Sequence, residues 1–275
     1  MPEKPEVITV AKALSKKVIG KKITNTKVLW NNIIKEPSKE EFIRRIKNQT
    51  IKDITTRGKF LVFILDTDVL LIHLRMEGKF TFRNIGEELS KHEHVIFTLD
   101  NNEEMRFHDV RKFGKMYLFK KSEVYKVKPL VDLGYEYDSK ELTKEYLYSK
   151  LNTKKLPIKT VLLDQKIITG IGNIYDDEIL FLSKINPLTK ASELKEKELK
   201  LIIDNTISVL NKAIKEGGTT IRNYTSEEGV TGLFQNNLLV HTKVGEPCPV
   251  CKTTIVKIKV GGRGTYYCPK CQKVK

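Results

Sequence analysis

The four cysteines constrain this chain most. All fall in the last 28 residues, as Cys248-Pro-Val-Cys251 and Cys268-Pro-Lys-Cys271, with sixteen residues between the pairs. Two C-x-x-C knuckles offer four thiolates, the donor set of a tetrahedral zinc site, and their separation fits a zinc ribbon. Two redox-active pairs are the alternative chemistry. A four-cysteine site leaves no coordination position open, so the expectation is one structural Zn2+ that supplies folding energy to a module without a core. Lys257, Lys259, Arg263, Tyr266 and Tyr267 lie between the knuckles. From residue 241 onward there are eight Lys and Arg against one Glu, which suits a nucleic-acid backbone.

The basic excess extends to the whole chain. Fifty Lys and Arg against 34 Asp and Glu give a net charge of +16. That balance favours a polyanionic partner, and charge alone admits either nucleic acid or an acidic membrane. The apolar runs at 60–65 and 69–72 are too short to span a bilayer. No apolar leader follows Met1. The expectation is a cytoplasmic protein with no membrane association. A length of 275 residues with 40% hydrophobic content suits one large domain or two ordinary ones.

Along the chain, residues 5–18 read as a helix, with Pro5 in the first turn and Val7, Val10, Ala11, Leu14 and Val18 on one face. Eight strands are expected at 23–30, 51–56, 59–65, 69–74, 79–83, 94–99, 104–108 and 115–119. The runs 66–68 and 100–102 supply hairpin turns. Ser38-Lys39-Glu40-Glu41 fits a capping box for a helix that interrupts them. Residues 121–138 read as a linker. Helices follow at 139–151, 157–165, 174–182 and 192–216, the last ended by Gly217-Gly218. The architecture is α+β, with an antiparallel sandwich or barrel ahead of a helical module and the cysteine module.

Three further features carry chemistry. Thr169-Gly170-Ile171-Gly172-Asn173 precedes a helix, so its backbone N–H groups could meet a phosphate; a plain interhelical turn has the same sequence. Asp109-Val110-Arg111-Lys112-Phe113-Gly114 sets an aromatic beside two cations. Met1-Pro2-Glu3 opens the chain. If Met1 is removed, Pro2 offers a secondary amine with a pKa of about 7.7–8.0, against about 10.4 for lysine. Such an amine attacks an electrophilic carbon and yields an iminium ion directly, with Glu3 placed to move protons. Taken by itself, Pro2-Glu3 reads first as a start codon followed by filler, and the rest of the chain has to change that.

Together these motifs resemble the bacterial formamidopyrimidine-DNA glycosylase family over nearly the whole chain. The resemblance rests on Pro2-Glu3-x-Pro5-Glu6-Val7, Arg57-Gly58-Lys59, His73-Leu74-x-Met76, Lys91-His92-x-His94-Val95 and Arg111-x-Phe113-Gly114. It continues through Leu162-Leu163-Asp164-Gln165, Gly170-Ile171-Gly172-Asn173-Ile174-Tyr175, Gly217-Gly218-Thr219-Thr220, and Gly245-Glu246-Pro247-Cys248 to Cys271. It implies a β-sandwich flanked by helices over 1–130, a helix-two-turns-helix domain over 131–237 and a zinc finger over 238–275. It implies a bifunctional glycosylase and abasic-site lyase of base excision repair. The enzyme would remove 8-oxoguanine and formamidopyrimidines from duplex DNA as a monomer.

Carried onto this sequence, the resemblance makes Pro2 the nucleophile and Glu3 its acid–base partner. Lys59 assists β-elimination and Arg263 the second elimination. Met76, Arg111 and Phe113 fill the gap left by the extruded base. His73 joins the DNA-contacting set, and His92, Lys155, Asn173 and Arg263 hold phosphates. Glu6, Thr219 and Thr220 line the lesion pocket, and Cys248, Cys251, Cys268 and Cys271 bind zinc. Lys4 departs from the apolar residue common in the family, with its side chain expected in solvent or toward DNA. A relative that removes oxidised pyrimidines and a catalytically silent DNA-binding protein are the competing readings.

Overall fold

The computed structural model describes residues 1–219 and 232–273. They form two compact units: residues 1–131 with Thr219 and Gly232, and residues 132–218 with 233–273.

The first unit opens with α1 (Lys4–Val18). Val7, Val10, Ala11, Leu14 and Val18 are all buried, as their 3.6-residue spacing requires. Nine strands follow: β1 (Ile23–Val28), β2 (Ile34–Glu36), β3 (Asp53–Arg57), β4 (Phe60–Ile64), β5 (Asp68–His73), β6 (Lys79–Asn84), β7 (Glu93–Leu99), β8 (Glu103–His108) and β9 (Lys115–Lys120). A helix, α2 (Lys39–Ile46), lies between β2 and β3 and starts where Ser38 Oγ accepts from Glu41 N at 3.2 Å. The strands make a five-stranded sheet in the order β2-β9-β5-β4-β3 and a four-stranded sheet in the order β1-β7-β8-β6. Both contribute to one apolar core, in which Leu61, Phe63, Leu70, Ile72, Phe97, Met105 and Phe107 are closed to solvent or nearly so. This is the expected β-sandwich. One strand was not expected: β2 has three residues and runs parallel to β9. So short a strand carries no usable alternation, and only its partner defines it.

The second unit holds α3 (Lys144–Leu151), α4 (Ile158–Leu162), α5 (Asn173–Leu182), α6 (Glu196–Lys215) and the hairpin β10 (Val256–Val260) with β11 (Arg263–Tyr267). Leu199, Ile202, Ile203, Val209 and Leu210 of α6 face a core shared with Ile158, Leu162, Tyr175 and Ile179. The expected helix at 139–151 begins only at Lys144, because Thr143 caps it, its Oγ1 accepting from Tyr146 N at 3.2 Å. The helix expected at 157–165 keeps only five residues. The stretch read as a linker is turn-rich, yet Val124, Leu130 and Tyr137 in it are buried. Among the described residues no helix is long and apolar enough to cross a membrane.

Candidate active site and nucleic-acid interface

Pro2 and Glu3 are buried at the head of α1. A brace there is built on Glu6. Its Oε2 accepts from Glu3 N at 2.8 Å, and its Oε1 accepts from Thr219 N at 2.8 Å and Thr219 Oγ1 at 3.2 Å. Three donors satisfy a carboxylate that is 4% exposed, offsetting the cost of burying it. The structure therefore brings together Glu3, Glu6 and Thr219, which lie 213 residues apart at the longest link. Thr220 lies outside the described residues. Lys4 corrects the sequence expectation: it is buried, and its Nζ donates to Thr56 Oγ1 on β3 at 3.0 Å.

Lys59 lies in the two-residue turn between β3 and β4, where Arg57 pairs with Phe60 and Gly58 takes φ +53°. A positive φ at the first turn position costs glycine nothing. Lys59 is 6% exposed, so it is buried and not a solvated surface cation. Helix α1 packs on β3 and β4. The positive charge of Lys59 is felt at His73, across from Phe60 in the β4–β5 ladder. Burial, then Arg75, Lys59 and Lys115, lower the His73 pKa to about 3. A neutral imidazole is also what the geometry needs, because His73 Nδ1 accepts from Arg75 N at 3.0 Å.

The exposed aromatic expected beside two cations stands at the end of β8. Met76 and Phe113 are 38% and 49% exposed, high values for side chains of this kind. The Arg111 guanidinium lies 4.7 Å from the Phe113 ring centroid. His92 precedes β7, with its ring edge-on to His108 at 5.6 Å. Burial, and then the nearby Lys79 ammonium, lower the pKa of His108.

In the second unit, Gly170 takes φ +92°, and its N–H donates to Gln165 Oε1 at 2.9 Å. Gln165 Nε2 holds the turn from inside by donating to Leu163 O at 3.1 Å and Ile171 O at 3.0 Å. Asn173 then starts α5, and its Nδ2 donates to Gly264 O at 2.9 Å. Gly264 follows Arg263, which is exposed directly after the turn Gly261-Gly262. Both turn residues have positive φ, +54° and +79°, as a two-residue turn of this hand requires. A Cβ on Gly261 would stand 2.6 Å from Thr160 Oγ1, so the hairpin tip closes on α4. Asn173 and Arg263, 90 residues apart in sequence, are thus neighbours.

Lys155 is exposed on the approach to α4. The lysine that touches the Asn173 turn is Lys159, which sequence reasoning missed. It is closed to solvent, with Nζ 3.2 Å from Asn173 O, 2.7 Å from Asp177 Oδ1 and 3.6 Å from Asp176 Oδ2. Asp177 Oδ2 in turn meets His241 Nδ1 at 2.6 Å. The available signal was a lysine amid Ile158, Val161 and Leu162 with two adjacent aspartates to come, because a cation on an apolar face needs a partner.

The Sγ atoms of Cys248, Cys251, Cys268 and Cys271 all lie within 4.8 Å of one another. Zinc–sulfur bonds of about 2.3 Å place tetrahedral sulfurs roughly 3.8 Å apart, so the cluster fits one zinc ion. Cys251 and Cys268 Sγ lie 3.4 Å apart and Cys248 and Cys271 Sγ 3.9 Å, both far longer than a disulfide of about 2.05 Å. Phe181, Val240 and Ile255 pack around Cys248 and Cys268.

Comparison with known proteins agrees at each level. Residues 1–116 match the formamidopyrimidine-DNA glycosylase N-terminal domain, 133–225 the formamidopyrimidine-DNA glycosylase H2TH domain, and 245–274 the zinc finger found in FPG and IleRS. The formamidopyrimidine-DNA glycosylase of Bacillus subtilis is 47% identical over 276 residues, covering 100% of both chains. That of Oceanobacillus iheyensis is 46% identical, covering 100% of this chain and 99% of its own. A Lactococcus lactis FPG mutant in complex with Fapy-dG-containing DNA superposes with a TM-score of 0.92 at 37% identity, covering 99% of this chain and 100% of the other. Lactococcus lactis Fpg with abasic-site DNA gives 0.91 at 37% identity, covering 98% and 99%. Sandwich, helical module, four-cysteine finger and full-length likeness converge: the chain belongs to the formamidopyrimidine-DNA glycosylase family.

Proposed function

We propose that this chain is a bifunctional DNA glycosylase and abasic-site lyase that removes oxidised purines and cleaves at the resulting gap. The observation that carries the reading is Pro2-Glu3 buried at the head of α1 and braced through Glu6 to Thr219. Once Met1 is removed, the Pro2 nitrogen attacks C1′ of the lesion nucleotide and the glycosidic bond breaks, the base leaving with the bonding pair and a proton. The ring oxygen then leaves C1′ and is protonated, with Glu3 as the proton donor, and the nitrogen lone pair forms the iminium ion. That cation acidifies the C2′ proton. Its removal expels the 3′ phosphate, and a second elimination expels the 5′ phosphate. Lys59 and Arg263 serve these eliminations, and water returns the free amine.

The attack needs the lesion out of the stack. Met76, Arg111 and Phe113 fill the vacancy, and His73, His92, Lys155, Asn173 and Arg263 hold the strand. Cys248, Cys251, Cys268 and Cys271 would hold a zinc ion, which would keep the β10–β11 hairpin folded. We assign these roles to three modules, residues 1–130, 131–237 and 238–275, acting in a cytoplasmic monomer. A solved relative, Lactococcus lactis FPG, is described in complex with DNA containing an oxidised pyrimidine, which supports a wider lesion range as a second reading. Borohydride reduction of the protein on duplex DNA with 8-oxoguanine opposite cytosine should trap a covalent adduct at Pro2. No adduct on lesion or abasic DNA would leave a DNA-binding protein without the chemistry.

A further inference from the structure

Asp109 is closed to solvent, and all its polar groups are engaged. Its Oδ1 accepts from Arg111 N at 3.1 Å and its Oδ2 from Gly114 N at 2.7 Å. Its carbonyl accepts from Lys112 N at 3.3 Å and from His94 Nε2 at 2.8 Å, and its N–H donates to His92 O at 2.9 Å. His94 O in turn accepts from Leu29 N at 2.8 Å and Trp30 N at 3.4 Å. The loop at 110–113 therefore has no freedom at its base. Gly114 must be glycine, since a Cβ would stand 2.7 Å from Phe107 and 3.2 Å from Asp109 Oδ2. Lys112, at φ +56°, sets its Nζ 4.2 Å over the ring of Trp30, the only tryptophan in the chain.

We infer that Asp109 is the positioning residue of the wedge: it holds Arg111 and Phe113 in the inserting geometry before DNA arrives, and it ties them to the His92 segment. This rests on the reading of Arg111 and Phe113 as fillers of the vacated stack. A carboxylate is needed because both loop contacts are N–H donors. An asparagine of the same shape would turn an NH2 group toward one of them, losing that bond and leaving a buried donor facing a donor. A displaced wedge raises the cost of opening the stack and leaves the chemistry at C1′ alone. A misplacement of about 1 Å lowers rate up to about a hundredfold.

The test compares three zinc-loaded full-length proteins, wild type, Asp109→Asn and Phe113→Ala, on two duplexes. One carries 8-oxoguanine opposite cytosine and the other a preformed abasic site. The quantity read is the ratio of the two single-turnover rates, in which any loss of correctly folded protein cancels. Asp109→Asn should lower that ratio by about tenfold to a hundredfold, and Phe113→Ala should lower it similarly. Trp30 emission of free Asp109→Asn should also move toward that of Lys112→Met, because release of the loop takes the ammonium off the ring. If Phe113→Ala lowers the ratio and Asp109→Asn leaves it within twofold of wild type, the positioning role is wrong. If Phe113→Ala itself leaves the ratio unchanged, the wedge reading fails first.

Discussion

His73 gives a prediction whose size follows from the structure. Its folded pKa lies near 3, against an ordinary 6.5, chiefly because it is buried and then because Arg75, Lys59 and Lys115 surround it. Between those two values the unfolded chain binds a proton that the folded chain refuses. The stability linked to His73 is therefore complete above pH 6.5 and is lost as pH falls toward 3. At 1.36 kcal/mol per unit the whole interval amounts to about 5 kcal/mol, and about 2 kcal/mol of it falls between pH 7.5 and 5.0. His73→Gln retains an acceptor for Arg75 N–H and removes the titration. Urea unfolding of the first unit, followed through Trp30, should show wild type losing about 2 kcal/mol more than His73→Gln over that range. Equal losses within about 0.5 kcal/mol, or a His73 imidazole titrating near 6.5 by NMR, would refute the assignment.

Three further outcomes are expected. Freshly purified, reduced protein should hold one zinc per chain, and Cys248→Ser or Cys271→Ser should lose DNA binding while the β-sandwich stays folded; metal analysis finding no zinc would overturn this. A residue added ahead of Pro2 should abolish excision and lyase activity yet keep affinity for an abasic-site duplex, because an acylated nitrogen has no lone pair to give. Mass-checked preparations that cleave equally fast with free and blocked termini would shift the covalent role to Lys59. Excision should be faster on 8-oxoguanine than on thymine glycol, with cytosine preferred opposite the lesion, and the reverse order in gel-based cleavage would place the enzyme among the pyrimidine-acting relatives.

Much of the candidate site is legible in the residues because local physics carries it. A C-x-x-C knuckle brings two thiolates together within one turn of chain, so the zinc site follows from spacing. The buried face of α1 follows from helical periodicity, and the positive-φ turns follow from glycine at Gly58, Gly170 and the Gly261-Gly262 pair. The expected hairpins β4–β5 and β7–β8 form because short polar turns separate apolar runs. In each case the interacting groups are close in sequence.

Where partners are distant, the residues alone stay ambiguous. Lys4 reads as a cation in solvent or toward DNA and Lys159 draws no notice, and only tertiary packing shows one on Thr56 and the other on Asp177. The Glu6–Thr219 and Asn173–Gly264 bonds join segments that no local pattern relates. The strand β2 exists only because β9 lies beside it. The ordinary-looking Asp109 gains its place from backbone donors that converge once the sheet has formed. The sequence by itself determined the chemistry on offer: an amine at the second residue, four thiolates, a basic surface and an aromatic beside two cations. The tertiary structure decided which of those groups are buried, paired or held in place, because hydrogen bonding and desolvation act through space and take no account of separation along the chain.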